Sequence, residues 1–473
     1  MPCRLARLAL LAAAIIAPFT SANSQAPALT PDQTEARDIL RELVNINSTS
    51  GTLGVKKAAE AMRNRLLKAG YPAADVLLLG PKPEMTAVVA TLRGRKTGKK
   101  PILLMAHIDA VAANPKDWPF DPFTFKEEGG WYYGRGSDDN KSGAANIVQN
   151  LIRWKREKWV PDRDIIAVLS ADEETEGKSI AWLLANHREK IDAEYALNSD
   201  GGGGALDKGR PVANTVQASE KVYANFRVEA TNRGGHSSVP RADNAIYELA
   251  EGLATFSKHT FPVRLNEVTR AFYKQGAATQ TPDVAALMLK VAGDPIDLDA
   301  TAKLAAMNGY WSSVMRTTCV ATLLDGGHAD NALPQRAGAN INCRMLPDDP
   351  TDSVMAVIQR VVGAKLKVTK NWNVVGGPVS PLRPDVMGVF TKLTAERFPG
   401  AAVIPEMSTG ATDGVFTRNA GIPTYGVSAL FAEQSEPSRA HGQEERVGVK
   451  AFNDALAFWY TMVKRLGNAG VTP

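Results

Sequence analysis

The sequence contains little cysteine and little excess charge of either sign. Only three cysteines occur among 473 residues, which excludes a disulfide-rich scaffold. The 55 Lys and Arg residues against 50 Asp and Glu residues leave a net charge of +5, which for this length gives no sign of a nucleic-acid partner. Hydrophobic residues make up 44% of the chain and charged residues 22%, as in soluble globular proteins. The length favours two domains over one.

A long apolar run suited to a membrane span is also missing from the N-terminal region. Residues 8–19 form an apolar stretch of only 12 residues, whereas a spanning helix needs roughly 20. Two arginines precede this stretch, and a segment of small polar residues, 20–24, follows it. This order predicts a secretory signal peptide over residues 1–24. We therefore expect a periplasmic or secreted protein with no membrane span.

The predicted mature chain keeps two cysteines, Cys319 and Cys343, in neighbouring strand-like runs. Disulfides can form in extracellular compartments, but the spacing of a single pair does not establish a bridge. We therefore expect two buried free thiols, while a bridge between them stays open as the alternative.

Apolar runs alternate with amphipathic segments along the first half of the mature chain. The strand-like runs are residues 86–92, 102–106, 165–169 and 195–198, with helical segments at 142–155 and 179–190. This alternation predicts an α/β domain whose mixed sheet is covered by helices on both faces. From about residue 212 the pattern changes and predicts an inserted α+β domain. The predicted boundaries are 25–208 and 380–473 for the two parts of the main domain and 209–379 for the insertion.

Histidine and carboxylate side chains occur where the strand-like runs end. In chain order they are His107, Asp109, Asp139 in a glycine-rich loop, the pair Glu173 and Glu174, Asp200, and finally His441. Each segment alone has an ordinary explanation: a solvated strand end, a loop that lacks the spacing of a phosphate cradle, or an acidic helix N-terminus. Together, nitrogen and carboxylate ligands without thiolate suit zinc, with manganese or cobalt as alternatives.

Two of these pairs have a spacing that suits a metal site. Asp109 lies two residues after His107, so the two side chains share a face of a strand, and the carboxylate can hold the imidazole through its distal ring nitrogen. Glu173 and Glu174 are adjacent, and neighbouring side chains leave the backbone in different directions. One glutamate can therefore bind a metal while the other holds a water molecule.

The ordered set of segments resembles that of the co-catalytic zinc exopeptidases, which include aminoacylase, glutamate carboxypeptidase, succinyl-diaminopimelate desuccinylase and carnosine dipeptidase. The resemblance runs from about Thr30 to Leu466, nearly the whole mature chain. It implies a catalytic domain interrupted by a lid, and two zinc ions that share one aspartate. The implied ligands are His107, Asp139 and Asp200 for one zinc, and Asp139, Glu174 and His441 for the other.

The same resemblance implies further roles. Asp139, rather than the aspartate before it, is the implied shared ligand because the family's aspartate lies two positions before a lysine, here Lys141. Glu173 is the implied general base, and Asp109 is the implied partner of His107.

The inserted domain carries a second set of matching residues. Segment 233–238 resembles the family's lid motif, whose histidine, here His236, stabilises the oxyanion and often enters the active site of a partner subunit. Asn331 and Arg344 resemble lid residues that hold the substrate's carboxylate. Gly410 matches a backbone site beside the substrate.

The stretch between His236 and Asn331 is longer than in relatives with a compact lid, and it predicts extra helix over residues 282–307. In this respect the chain resembles the carboxypeptidase S and fatty-acyl amino acid hydrolase branch. The family implies a homodimer formed through the lid, while the extra helix leaves open whether that contact forms here.

The expected function is zinc-dependent hydrolysis of the amide bond of a small peptide or N-acyl amino acid with a free carboxylate, as in carboxypeptidases and aminoacylases. Two alternatives stay open. One is a dipeptidase or aminopeptidase of the same family, which recognises a free N-terminus. The other is a zinc-dependent peptide-binding protein without turnover. Glu173 argues against the binding protein, because a binder needs no general base.

Overall fold

The structure, a computed structural model, describes residues 28–370, 374, 376–436 and 438–468. The predicted signal peptide over residues 1–24 lies outside this part of the chain. Within the described residues, no helix combines the length and the apolar character needed to cross a membrane.

Strands and helices alternate along the chain. The strands are β1 Val76–Leu79, β2 Ala87–Leu92, β3 Ile102–His107, β4 Lys126–Glu128, β5 Trp131–Tyr133, β6 Ile165–Ser170, β7 Tyr195–Asn198, β8 Gly203–Asp207, β9 Arg210–Glu220, β10 Val222–Thr231, β11 Gly235–His236, β12 Thr318–Gly326, β13 Ala332–Leu333, β14 Arg336–Met345, β15 Lys367–Lys370, β16 Ala402–Ser408, β17 Thr424–Gly426, β18 Phe431–Glu433 and β19 Arg446–Gly448. The α-helices are α1 Pro31–Asn45, α2 Leu53–Lys68, α3 Lys141–Arg156, α4 Lys178–Asn186, α5 Arg188–Ile191, α6 Ala245–Phe256, α7 Glu267–Gly276, α8 Pro282–Val291, α9 Leu298–Met307, α10 Gly309–Val314, α11 Thr351–Val362, α12 Pro384–Arg397, α13 Gly414–Asn419 and α14 Val449–Gly467. The four strand-like runs of the first half correspond to β2, β3, β6 and β7.

The largest sheet has ten strands in the order β1-β2-β6-β3-β7-β17-β9-β8-β18, with β16 paired to β9. β3 runs parallel to β6 and β7, whereas β2 runs antiparallel to both β1 and β6. The predicted α/β class with a mixed sheet is therefore confirmed. Because β3, β6 and β7 are parallel neighbours, their carboxyl ends lie at one edge of the sheet.

Helices cover both faces of this sheet because its central strands are apolar on both sides. On one face, helices α1, α2, α3 and α14 pack on side chains that include Leu104 and Leu197. On the other face, α4 and α13 pack on side chains that include Leu103 and Met105. Consecutive residues of β3 thus alternate between two cores, which fixes the sheet between its helices.

A separate four-stranded sheet, in the order β12-β14-β10-β15, forms the centre of the inserted segment. Helices α6 and α11 pack on it through an apolar core that includes Phe226, Leu249, Ile341 and Ile358. This combination of helices on an antiparallel sheet is the predicted α+β lid.

Four elements inside the predicted insertion, 209–379, associate with the large sheet: strand β9 and helices α7, α8 and α9. β9 pairs with β8, β16 and β17, so the strand that begins at Arg210 is part of the main domain. The extra helix predicted over 282–307 is present as α8 and α9. Together with α7 it packs on β9 and β16, in a core that includes Tyr273 and Met407. The sequence could not show that these elements join the large sheet, because a pattern of apolar residues predicts a strand or a helix and not the sheet with which it associates.

Cys319 and Cys343 form a disulfide, so the expectation of two free thiols was wrong. Cys319 on β12 lies directly opposite Cys343 on β14, and their Cα atoms are 4.1 Å apart. The sequence could not show this because the register of the two strands depends on their connection and on a bulge in β12.

Candidate active site

The predicted metal ligands converge at the edge where the parallel strands end. His107 is the last residue of β3, Glu173 and Glu174 follow the end of β6, and Asp200 follows the end of β7. Nε2 of His107 lies 4.0 Å from Oδ2 of Asp200. Polar residues that follow three separate apolar strands are therefore brought to one place by the strand order.

Asp139 lies between the two histidines of the cluster. Its Oδ1 atom is 2.9 Å from Nε2 of His107, and its Oδ2 atom is 3.3 Å from Nε2 of His441. The same nitrogen of His441 lies 2.9 Å from Oε2 of Glu174. Each oxygen of Asp139 thus faces a different imidazole, which is the arrangement needed for a carboxylate shared by two cations.

Asp109 lies behind His107, on the side away from Asp139. Nδ1 of His107 is 3.1 Å from the backbone oxygen of Asp109 and 3.5 Å from its carboxylate. The carboxylate also accepts hydrogen bonds from the backbone N–H groups of Glu173 and Glu174, at 3.3 and 3.2 Å. Asp109 therefore positions both the imidazole and the turn that carries the two glutamates.

A buried ion pair that sequence reasoning missed connects two loops of the site. Nη1 of Arg135 donates to Oε2 of Glu445 at 2.6 Å, and the two side chains are 3% and 1% exposed. Oε1 of Glu445 accepts hydrogen bonds from the backbone N–H groups of Asp138 and Asp139, at 3.0 and 3.1 Å. Nη2 of Arg135 donates to the backbone oxygen of His441 at 3.2 Å.

These contacts hold His441 in an uncommon backbone conformation. Its φ angle is 63°, in the left-handed region that residues other than glycine rarely adopt. Glu445 lies four residues after His441, and Arg135 lies four residues before Asp139. From this spacing alone, Glu445 could bind a metal itself or could support a metal ligand. Only the fold shows that it pairs with Arg135.

Burial and mutual repulsion perturb the acidic groups of the cluster. Burial, and then the charge of Asp139, raises the pKa of Glu174 to about 7 and raises the pKa of Asp200 well above its ordinary value. Burial and the charge of Asp200 likewise raise the pKa of Glu173. The hydrogen bond with Asp139 raises the pKa of His441 to about 9. The five carboxyl groups of Asp109, Asp139, Glu173, Glu174 and Asp200 share only two imidazoles, and without a cation they do not all ionise at neutral pH.

The side chains fit a divalent cation. Oε1 of Glu174 is buried and has no hydrogen-bond partner among the described residues, which is costly unless a cation compensates it. Ligand atoms of His107, Asp139 and Glu174 lie within 4.8 Å of one another, and so do those of His107, Glu173 and Asp200. Imidazole nitrogen and carboxylate oxygen together suit zinc, manganese or cobalt.

The other carboxylates of the acidic segment 172–176 serve the local structure. Asp172 accepts hydrogen bonds from the backbone N–H groups of Lys178 and Ser179, at 2.8 and 2.9 Å, and so caps the start of α4. Glu176 is exposed and pairs with Lys178. The alternative of an acidic helix N-terminus is therefore correct for Asp172 and Glu176. Glu173 and Glu174, between them, belong to the cluster.

A cavity of about 680 Å³ lies beside the cluster. Its walls include Glu173, Glu174, Tyr223, Arg344, Gly410 and His441. Nη1 of Arg344 donates to the backbone oxygen of Thr409 at 3.1 Å, and its guanidinium lies 4.7 Å from the centre of the Tyr223 ring. Among the described residues, no carboxylate pairs with Arg344, so its charge is available to an anion in the cavity.

His236 and Asn331 do not line this cavity, in contrast to Arg344 and Gly410. Both are exposed and lie at the two-stranded ribbon of β11 and β13. The backbone N–H of Ser238 donates to Nδ1 of His236 at 3.1 Å. The neutral imidazole therefore carries its proton on Nε2, where it can act as a hydrogen-bond donor.

Comparison with known proteins agrees with this site. The sequence profile of Peptidase family M20/M25/M40 matches residues 103–465, a region that contains all the cluster residues. The chain belongs to this family. As an M20 member it is a hydrolase of peptide or N-acyl amide bonds, as predicted, and the alternative of a binding protein without turnover is not favoured.

Two relatives place the chain within the M20 family. The "Probable carboxypeptidase S-like 2" of Dictyostelium discoideum is 25% identical over 388 residues, which are 80% of this chain and 74% of the relative. Human N-fatty-acyl-amino acid synthase/hydrolase PM20D1 is 25% identical over 386 residues, which are 79% of this chain and 76% of the relative. The predicted resemblance to this branch is confirmed.

Solved structures share the fold. An M20 family metallo-carboxypeptidase from Sulfolobus solfataricus superimposes with a TM-score of 0.65 over 92% of this chain and 99% of that chain, at 18% identity. Human carnosine dipeptidase 1 gives a TM-score of 0.61 over 92% of this chain and 97% of that chain, at 16% identity. The combination of a large mixed sheet and a lid is therefore the M20 architecture.

Proposed function

We propose that this M20 chain is a zinc-dependent hydrolase of carboxypeptidase or aminoacylase type, which cleaves the amide bond beside a residue that has a free carboxylate. Arg344 carries this proposal, because its guanidinium lines the same cavity as Glu173 and His441 and pairs with no carboxylate of the described chain. A guanidinium can bind a carboxylate through two parallel hydrogen bonds. The names of the two relatives, a carboxypeptidase and an N-acyl amino acid hydrolase, agree with such a substrate.

Two zinc ions are the proposed cofactor, with manganese or cobalt as alternatives. His107, Asp139 and Asp200 are the proposed ligands of the first ion, and Asp139, Glu174 and His441 those of the second. The position of Asp139 between the two imidazoles supports its shared role. Bound there, such ions supply Lewis acidity, which lowers the pKa of water and polarises a carbonyl group.

Glu173 is the proposed general base. It takes a proton from the attacking water molecule and later gives that proton to the amine that leaves. His236 is the proposed donor of a hydrogen bond from Nε2 to the oxyanion that develops on the carbonyl oxygen. Arg344 is the proposed partner of the substrate carboxylate within the chain, and the backbone at Gly410 aligns the substrate. Asn331 is a further proposed partner; like His236 it lies outside the cavity of its own chain, so it would reach the carboxylate in the site of a second copy.

The proposed specificity is tested with N-acyl amino acids, the same compounds as C-terminal amides, and free dipeptides. Each is assayed after chelation and again after zinc, manganese or cobalt is returned. We expect hydrolysis to require metal and kcat/KM to fall about 10- to 100-fold when the carboxylate becomes an amide, the effect of losing a charged hydrogen-bond partner. Cleavage of free N-termini only would contradict the proposal and indicate a dipeptidase or aminopeptidase.

We also propose a homodimer formed through the lid. β12 is an edge strand of the lid sheet and exposes the apolar side chains of Val320, Leu323 and Leu324, and the neighbouring α6 exposes Tyr247. An exposed edge strand with apolar side chains is suited to pairing with another chain. The absence of His236 from the cavity of its own chain supports a role in the site of a second copy.

We propose a periplasmic or secreted location. The signal-peptide features of residues 1–24 support it, and so does the disulfide between Cys319 and Cys343, because disulfides are rare in the cytosol. N-terminal sequencing of the protein from its producing cells tests the proposal. A protein that keeps its first 24 residues would contradict it.

A further inference from the structure

A buried lysine lies where the chain passes from the large sheet to the lid sheet. Lys221 is the residue between β9 and β10, and it is 1% exposed. Its backbone N–H donates to the backbone oxygen of Ser408, the last residue of β16, at 2.9 Å. The main chain of Lys221 is therefore bonded to the catalytic domain.

The side chain of Lys221 bonds to two segments on the lid side of this junction. Nζ donates to the backbone oxygen of Arg344 at 2.9 Å and to the backbone oxygen of Arg316, which lies between α10 and β12. The guanidinium of Arg344 in turn donates to the backbone oxygen of Thr409, next to the residue that holds the main chain of Lys221. Lys221 thus fixes the backbone of the arginine that lines the cavity beside the cluster.

The charges that act on Lys221 are positive. Arg344 of β14 and Arg316 lie close enough to repel its ammonium group. Glu220, the preceding residue, is the partner of Arg418, at 2.7 Å. In the described part of the chain, no carboxylate pairs with Lys221.

The other titratable groups of this junction do not balance that charge. Burial raises the pKa of Tyr273, which lies on α7 beside Arg316, so its hydroxyl stays neutral. Tyr223 lies with its ring 4.7 Å from the guanidinium in the cavity wall. Asp349 accepts a hydrogen bond from the residue after Arg316, and it pairs with Arg264.

We propose that Lys221 is a positioning residue for the substrate carboxylate, which holds Arg344 in place and adds its own positive charge to that binding site. This role rests on the proposed function, in which Arg344 binds the carboxylate. A buried cation without a carboxylate partner is costly, and an anion that binds nearby compensates it. The carboxylate of a substrate bound at Arg344 is such an anion.

The protonation of Lys221 predicts how carboxylate binding depends on pH. Burial, and then the charges of Arg344 and Arg316, lower the pKa of Lys221 to about 7. The side chain is therefore charged below this pH and neutral above it. The neutral amine still has two N–H groups for the two backbone oxygens, so the support of Arg344 remains while the charge is lost.

The test pairs the best N-acyl amino acid of the specificity assay with its C-terminal amide, in the metal-loaded mature protein between pH 6 and pH 9. The ratio of the two kcat/KM values cancels the titration of the cluster, because both substrates depend on the cluster. A unit charge near an anion changes its binding by about five- to tenfold at the effective dielectric constant of a protein site. We expect the carboxylate-to-amide ratio to fall by about this factor as the pH rises through 7.

Two variants of Lys221 separate its charge from its support of Arg344. Lys221→Met removes the charge and both hydrogen bonds, so its ratio at pH 6 should be no higher than the wild-type ratio at pH 9 and should not change with pH. Lys221→Arg carries a charge that does not titrate in this range, so it should keep a high ratio up to pH 9. The control is Lys303→Met, at a side chain 56% exposed on α9, which should keep the wild-type profile.

The outcomes distinguish the role of Lys221 from the function on which it rests. A wild-type ratio that stays constant and well above one overturns this role, and so does a fall with pH that Lys221→Met or Lys221→Arg retains, because another group would then titrate. An equal loss on both substrates in Lys221→Met also overturns it, since a purely structural role has that effect. A wild-type ratio near one at every pH instead contradicts the proposed function.

Discussion

Replacement of Glu445 with glutamine is expected to lower stability and metal affinity together. Glu445 is 1% exposed and pairs with Arg135, which is 3% exposed. Removal of one partner of a buried ion pair costs about 3–5 kcal/mol, because the other charge stays buried without compensation. The amide oxygen of glutamine can still accept the backbone N–H groups of Asp138 and Asp139. We therefore expect a loss near the lower limit, about 3 kcal/mol.

The assay measures two properties of Glu445→Gln. Urea unfolding in the presence of chelator gives the loss of unfolding free energy without a contribution from bound metal. Titration of the refolded apoprotein with zinc gives the affinity of each site. We expect metal affinity to fall about 10- to 100-fold, the usual effect of disturbing a group that orients metal ligands, because a neutral amide holds Arg135, and through it the backbone of His441, less firmly than the carboxylate does.

A matched control and a double variant make the test specific. Glu194 also bonds two guanidinium groups, those of Arg163 and Arg383, but its side chain is 30% exposed. Glu194→Gln is therefore expected to cost at most about 1 kcal/mol and to leave metal affinity unchanged. Arg135→Met with Glu445→Leu removes both buried charges and should recover part of the stability. It should not recover metal affinity, since leucine accepts no hydrogen bond from the backbone N–H groups of Asp138 and Asp139. Wild-type stability and wild-type metal affinity in Glu445→Gln would refute the reasoning.

Four further outcomes are expected. Glu173→Ala should keep its bound metal and lose about 10²- to 10⁴-fold in kcat, and an active variant would rule out the general base. Arg344→Lys should raise KM for carboxylate substrates about tenfold with little change for their amides, because lysine lacks the planar fork; an equal change for both would contradict carboxylate binding. The disulfide joins Cys319 and Cys343, which are 24 positions apart. Replacement of both cysteines by serine should lower the free energy of unfolding by about 3 kcal/mol, and reducing agent should not lower the stability of this variant further. Leu323→Glu, at a side chain 67% exposed on β12, should convert a dimer to a monomer in sedimentation, whereas a wild-type monomer would contradict the lid contact.

The elements that the sequence predicts correctly depend on local patterns. His107 follows a continuous apolar run, as do Glu173 and Asp200, and a run of that length without polar interruption is typical of a strand buried on both faces. Parallel strands then bring their carboxyl ends together, so the position of the polar residues follows from the fold class. The family resemblance supplied the shared role of Asp139, which the pattern of residues alone does not indicate.

The elements that could not be predicted depend on pairing between distant segments. Arg135 and Glu445 are 310 residues apart, and no periodicity links them. The pairing of Cys319 with Cys343 depends on strand register, which a shift of one residue would change. β9 lies where the sequence pattern changes, and only its hydrogen bonds show that it belongs to the large sheet.

The cluster is assembled from both sides of the insertion. His441 and Glu445 come from the chain after the lid, whereas Arg135 and Asp139 come from the chain before it. Glu445 fixes the backbone of Asp139, and Arg135 fixes that of His441, so each half of the catalytic domain orients a ligand carried by the other. β17, which lies between β7 and β9, joins the same two halves within the large sheet. The proposed second metal site therefore forms only when the two parts of the catalytic domain are packed together. The affinity of this site for metal measures how well they are packed.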